Sequence, residues 1–383
     1  MTRRRALVWV AAGAAALACA RPSAAAPSIR VQLLHNQLDV VLSADEGLGV
    51  RPLSFDPSDA PMLEPEITTV LDIRAQPGGM LLAGAIPVRG PIAVAPQLSS
   101  RLSVDGRAYR GTAIVQPDLD GTLGVIDVVD LDKYLYGVIA AEMPASWPQA
   151  ALQAQAIIAR SYVLAKMGNP SHPSYDVEAG EQDQVYDGIA AETDDTSAAV
   201  DATRGLILVY GGQIATAYYS ACDGGYTSDG WALADPQPYL QAKPDPYCSL
   251  SPYMRWQASV PTAAFEAAFT GAVGDIGTIT DVQIRSTDAS GRAQTLSVIG
   301  TAGSRIISGT KFRLLAGQHL VKSLRIASLQ LTGDRIEVSG SGFGHGVGLC
   351  QYGARGMAAA GYDASDILRF YYPGALLTSL VER

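Results

Sequence analysis

The stretch Val129 to Gly168, VDLDKYLYGVIAAEMPASWPQAALQAQAIIARSYVLAKMG, constrains this chain more than any other. It reads as two helices separated by a hard stop. Asp130 is placed to cap the first helix, and Leu131, Leu135, Val138 and Glu142 follow at offsets of 0, 4, 7 and 11. At about 100° per residue the last lies roughly 20° from the first, so a carboxylate stands on the apolar stripe. Pro144 ends that helix at or just before Met143. Ser146 and Gln149 have capping-box spacing, with Pro148 in the first turn of the second helix. That helix carries Leu152, Ala156, Ala159 and Val163 on one face and closes at Gly168. Glu142 is thereby held at the mouth of a helix–turn–helix beside Trp147, where burial raises a carboxyl pKa. An acid kept protonated near neutral pH is what general-acid cleavage of a glycosidic bond requires. The plain alternative is a helix-end glutamate satisfied by an amide or an arginine.

With 383 residues, 48% hydrophobic and 17% charged, the chain has room for two or three ordered units. Residues 1–25 read as an export signal: Arg3 to Arg5 form a basic start and Ala6 to Ala18 an apolar run too short for an ordinary membrane span. Cleavage is expected between Ala25 and Ala26, giving an exported protein of the periplasm or cell wall. Cys19 stands at a partial lipoprotein processing site, which offers a lipid anchor as the alternative. Loss of four arginines and no acid takes the net charge from −9 to −13, which argues against nucleic acid as a partner. Cys222, Cys248 and Cys350 remain. In an oxidising setting Cys222 and Cys248 are able to close a loop, although three thiols leave the pairing open.

Periodicity predicts an α+β fold of mixed helices and antiparallel strands. Residues 26–125 form a β-rich N-terminal part, with strands over Ser28–Leu34 and Leu38–Ala44 and a turn at Pro77-Gly78-Gly79. Residues 126–252 form the core around the paired helices, with a further helix over Ser197–Arg204 and a hairpin around Gly211-Gly212. Residues 253–335 read as a β-rich insertion without candidate chemistry, containing a short helix over Ala263–Phe269. Residues 336–383 return to the core with SGFGHGVGLCQYGARG.

The glycines around His345 do not keep dinucleotide-loop spacing; they suit close backbone approach instead. The four histidines show no metal-ligand spacing, and no serine sits in a nucleophile elbow. A Cys350–His345 thiol dyad is disfavoured, since five residues in one loop fix no geometry. Tyrosines outnumber phenylalanines 17 to 6, and Tyr162, Tyr175, Tyr186, Tyr218, Tyr219, Tyr352, Tyr371 and Tyr372 crowd the motif-rich segments. Rings with one polar tip suit the faces of sugars.

DLDKYLYGVIAAEMPASWPQAALQAQAIIARSYVLAK, then QVYDG, AVDATRGLILVYGGQIATAYYSACDGG and GHGVGLCQYGARGMAAAGYDASDILRFYYPG, resemble in order the motifs of the SpoIID/LytB family. The resemblance implies a lytic transglycosylase acting on peptidoglycan glycan strands, peptide-stripped ones in the sporulation members. It places the catalytic acid at Glu142. Substrate contacts are implied at Arg160, His345, Gln351 and Tyr352, with Tyr162 and Tyr186 added from the tyrosine pattern. Some members carry zinc through His and Cys near YYSACDGGYT. Here Tyr218, Tyr219 and Tyr226 stand where imidazoles would be needed, so no metal or cofactor is expected. The rival expectation, suggested by the LytB branch, is a non-catalytic wall-binding partner of another lysin. Oligomeric state is left open.

Overall fold

The computed structural model describes residues 27–53, 68–98, 100–231, 233 and 236–380. The expected signal at residues 1–25 and Cys19 lie outside them. The fold is α+β. Its largest sheet has eleven strands and carries the N-terminal part. Strand Ser28–Gln37 pairs antiparallel with Leu123–Asp130 and parallel with the short Val177–Glu178. Asp39–Pro52, next in the chain, pairs instead with Thr68–Gln76, Ile92–Pro96 and Leu102–Val104. Near the end of the first strand Asn36 has φ 54°, a left-handed conformation that falls where the pairing with Leu123–Asp130 shifts register between Leu34 and Gln37. Consecutive strands therefore end up with three others between them.

Strand Leu123–Asp130 runs directly into α1 (Leu131–Glu142). The Asp130 carboxylate caps it, accepting from the amides of Asp132 at 3.0 Å and Lys133 at 3.1 Å. Met143, extended ahead of Pro144, ends it. Helix α2 (Gln149–Lys166) differs from expectation at its start: Pro148 is the capping residue, and no side chain caps the helix. Ser146 lies two residues too early for that role, and Gln149 bonds the Asp195 carbonyl instead. Gly168, at φ 73°, sits just past the end. Helix α3 (Asp194–Ala202) begins three residues before the expected start because Thr193 provides the cap.

Gly211 and Gly212, both at positive φ, turn Leu206–Tyr210 back onto Gln213–Ile214. Beyond Ile214 the hairpin stops. Tyr219–Ser220 pairs in parallel with the distant Leu349–Cys350.

Two apolar cores divide the molecule. One runs from Ile29 to Cys248 and resumes from Val347 to Tyr372, which includes α6 (Gln351–Ala359) and α7 (Ala364–Tyr371). The other lies wholly between Trp256 and Val338, built around Phe265, Phe269 and Phe312. It holds two three-stranded sheets with α4 (Thr262–Ala272) and α5 (Gly309–Ala316). Helix α5 is an addition to the strands expected there, capped by Ser308. Among the described residues, no helix is long and apolar enough to cross a membrane.

Candidate active site

Glu142 is the last residue of α1, and three segments converge on its carboxyl group. Oε1 accepts from the Val185 amide and from the Tyr219 hydroxyl, each at 3.1 Å. Oε2 accepts from Gln351 Nε2 at 3.2 Å. Burial pushes the carboxyl pKa above its ordinary value, while these three donors favour the anion and offset part of that rise. The group lines a cavity of about 370 Å³ together with Tyr162, Asp183, Tyr218, Arg313 and His345.

The glycine-rich loop forms one wall. Gly344, Gly346 and Gly348 all have positive φ, and a Cβ on Gly346 would strike the buried Arg292 guanidinium. Between them His345 exposes part of its ring to the cavity. Its Nδ1 accepts from the Val347 amide at 3.0 Å, which requires a neutral ring protonated at Nε2. The surrounding protein and the Arg292 and Arg313 guanidiniums push its pKa down in the same sense. Helix α6 starts immediately after the loop, so its first residue, Gln351, reaches Glu142.

The other expected contacts separate into two groups. Tyr162 lines the cavity and donates to Asp183 Oδ1 at 2.7 Å. Tyr352 packs edge-on against Trp147 at 5.0 Å and Tyr253 at 5.9 Å, outside the cavity lining. Trp147 is therefore a wall for Tyr352. Tyr186 is buried beneath α1, donating to Asp127 at 3.3 Å and packed on Tyr134. Gly137 leaves room for its ring.

Arg160 is also buried and does not line the cavity. Its guanidinium bonds Asp132 Oδ1 at 2.9 Å and the carbonyls of Thr203, Leu206 and Val200. It joins α1, α2 and the end of α3, and it does not face the carboxyl group of Glu142.

Three contributors escaped the sequence. Val185 acts through its backbone amide, which no residue type announces. Tyr219 was one of many tyrosines. Arg313, on α5, brings a cation into the cavity from the inserted unit that was read as lacking chemistry. The expected bridge between Cys222 and Cys248 is not formed: both are free buried thiols, as is Cys350. All three sulfurs fall within 4.8 Å of one another and of an Asp223 carboxylate oxygen.

Fold and site together define an α+β protein with an open, tyrosine-walled cleft around a half-buried carboxyl group. The chain belongs to the SpoIID family. The family described as "Stage II sporulation protein" matches residues 119–210, and a domain of unknown function (DUF8618) matches residues 237–348. A protein of Brachyspira hyodysenteriae (strain ATCC 49526 / WA1) called uncharacterized is 30% identical, covering 71% of this chain and 73% of that one. The amidase enhancer of Bacillus subtilis (strain 168) is 32% identical over 73% of this chain, which spans 45% of that protein's length. Stage II sporulation protein D of the same organism is 29% identical, covering 66% of this chain and 76% of its own.

Proposed function

We propose that this protein is an extracytoplasmic peptidoglycan lytic transglycosylase that cuts glycan strands with Glu142 as acid and then base. The observation that carries the proposal is the Glu142 carboxyl group itself, sequestered at a cleft yet met by three donors. Burial favours the protonated form needed to deliver a proton to the leaving glycosidic oxygen. The Val185, Tyr219 and Gln351 donors then receive the carboxylate that remains. That carboxylate removes the proton from the sugar's own 6-hydroxyl, whose oxygen closes a 1,6-anhydro ring. The nucleophile is already attached to the substrate, so no second carboxyl is needed to position water.

Neutral His345 and Tyr162 supply polar edges along the cavity wall. Arg313 supports a preference for peptide-stripped strands. Its Nε and Nη2 donate to the carbonyls of Val321 and Gln318, which fix the guanidinium of a residue that also lines the cavity. A muramyl lactyl group carries a free carboxylate only when its stem peptide is gone, and a guanidinium distinguishes carboxylate from amide.

Stripped sacculi incubated with wild-type protein should release soluble fragments. Glu142→Gln should lower that rate by about 10²–10⁴-fold. Equal rates would remove Glu142 from the chemistry. A relative named amidase enhancer favours a second reading, in which the cleft holds glycan and assists another lysin without cutting it. Binding of stripped strands with no release by either protein would select that reading.

A further inference from the structure

We propose that Cys222, Cys248, Cys350 and Asp223 form a closed site for a thiophilic divalent cation of the zinc class. The cation would lock together the two strands that present Tyr219 and Gln351 to Glu142. The four side chains are buried and come from three separate parts of the chain. Their ligand atoms all lie within 4.8 Å of one another. Tetrahedral coordination with zinc–sulfur bonds of about 2.3 Å needs sulfurs roughly 3.8 Å apart, which is within small side-chain adjustments of this arrangement.

Backbone amides already reach two of the three sulfurs. The Gly224 amide donates to Cys222 Sγ at 3.4 Å. The amides of Asp223 and Gly353 donate to Cys350 Sγ at 3.4 and 3.3 Å, which puts that sulfur at the N-terminus of α6. A separate observation points to a missing partner. Asp223 Oδ1 is engaged by the Gly225 amide and faces Cys248 Sγ at 3.2 Å, yet among the described residues no donor meets its buried Oδ2, and the Asp245 carboxyl beside it adds a second acid to the site. A buried carboxylate oxygen in that position is costly unless a cation or proton meets it.

The expectation of no zinc rested on tyrosines standing in place of imidazoles. The fold brings Cys248 and Cys350 to Cys222 from distant segments, so thiols stand ready where imidazoles are missing. Their placement gives the site a structural purpose. Ser220 pairs with Cys350, so Tyr219 and Gln351 flank the same two-stranded ladder. Cys222 and Cys350 clamp that ladder from one end, and Cys248 ties it to the loop that leads into the inserted unit.

The test uses the full chain purified without chelator. Elemental analysis should find about one zinc per chain, with the three buried thiols inert to a thiol reagent until a chelator is added. Replacement by Co²⁺ should give a thiolate-to-cobalt charge-transfer band and strong tetrahedral visible bands. Asp223→Asn should keep the charge-transfer band and retain the metal more weakly. Cys350→Ser should lose metal and lower the melting temperature. If the cysteine variants do not fold, the wild-type cobalt spectrum still decides. Protein containing under about a tenth of an equivalent of metal, with a disulfide or freely titrating thiols and no cobalt–thiolate band, would overturn the proposal. None of these readouts depends on cleavage of glycan.

Discussion

At the scale of single residues, two opposing influences on Glu142 decide its behaviour. Desolvation raises its pKa, and three hydrogen bonds pull the other way. Tyr219→Phe removes one donor to the anion, so the alkaline limb of the activity profile should move up by roughly one pH unit as maximal turnover falls. An unchanged limb would mean that another group controls the pH dependence. The same burial has a stability consequence. A folded pKa above the unfolded value stabilises the protein at low pH, and that contribution is lost as pH rises through the folded pKa. Glu142→Gln should therefore melt at or above the wild-type temperature at neutral and alkaline pH while cutting glycan far more slowly. The position was legible in the sequence because an acid broke an apolar stripe. Its partners were less so: Gln351 lay in a recognisable motif, Tyr219 was hidden among tyrosines, and the Val185 amide had no signature.

Among the elements, Arg160 shows how a motif residue serves the site indirectly. Its side chain and that of Asp132 are 1% and 6% exposed, and the pair fixes α1 against α2 and the end of α3. Arg160→Met leaves the buried Asp132 carboxylate with only the more distant Arg204, at 3.6 Å, and takes the donor from the Thr203, Leu206 and Val200 carbonyls, which should cost on the order of 3 kcal/mol in urea unfolding. A loss of glycan affinity at unchanged stability would instead return Arg160 to the cleft.

Asp127, on the strand entering α1, is a second buried acid. Desolvation pushes its pKa up to about 7 against the opposing Tyr186 hydrogen bond. Its stabilising contribution is present at acid pH and fades as pH rises through 7, so Asp127→Asn should flatten the fall in melting temperature above neutrality. Helix α1 could be read from Asp130 and Pro144 because both act within one turn. The start of α2 was misread because proline spacing and capping-box spacing overlapped there. The hairpin after Gly212 ended early because Tyr219–Ser220 found a partner more than a hundred residues away, which local pattern does not encode.

Across the whole molecule, the inserted unit has its own core yet contributes to the cleft. Arg292 and Arg325 hold it to the Cys222–Tyr226 loop through the carbonyls of Asp223, Tyr226 and Gly224. Ser228 joins it through Asp288 at 3.1 Å. This docking carries Arg313 to the cavity wall, which under the proposed function is how the insertion would act on substrate choice. Arg313→Gln should weaken binding of stripped strands about tenfold and leave binding of peptide-bearing strands nearly unchanged. Equal loss on both would make Arg313 a general contact. The α+β class and the second unit were visible as changes in pattern along the chain. The cation was not, since its relevance depends on how two separately cored units meet.

The most direct test of the central claim is mass spectrometry of the ends left when peptide-free glycan strands are digested by the purified protein. Cleavage by Glu142 through the substrate's own 6-hydroxyl predicts 1,6-anhydromuramyl ends that vanish with Glu142→Gln. Ordinary reducing ends would mean that water is the nucleophile and would contradict this account.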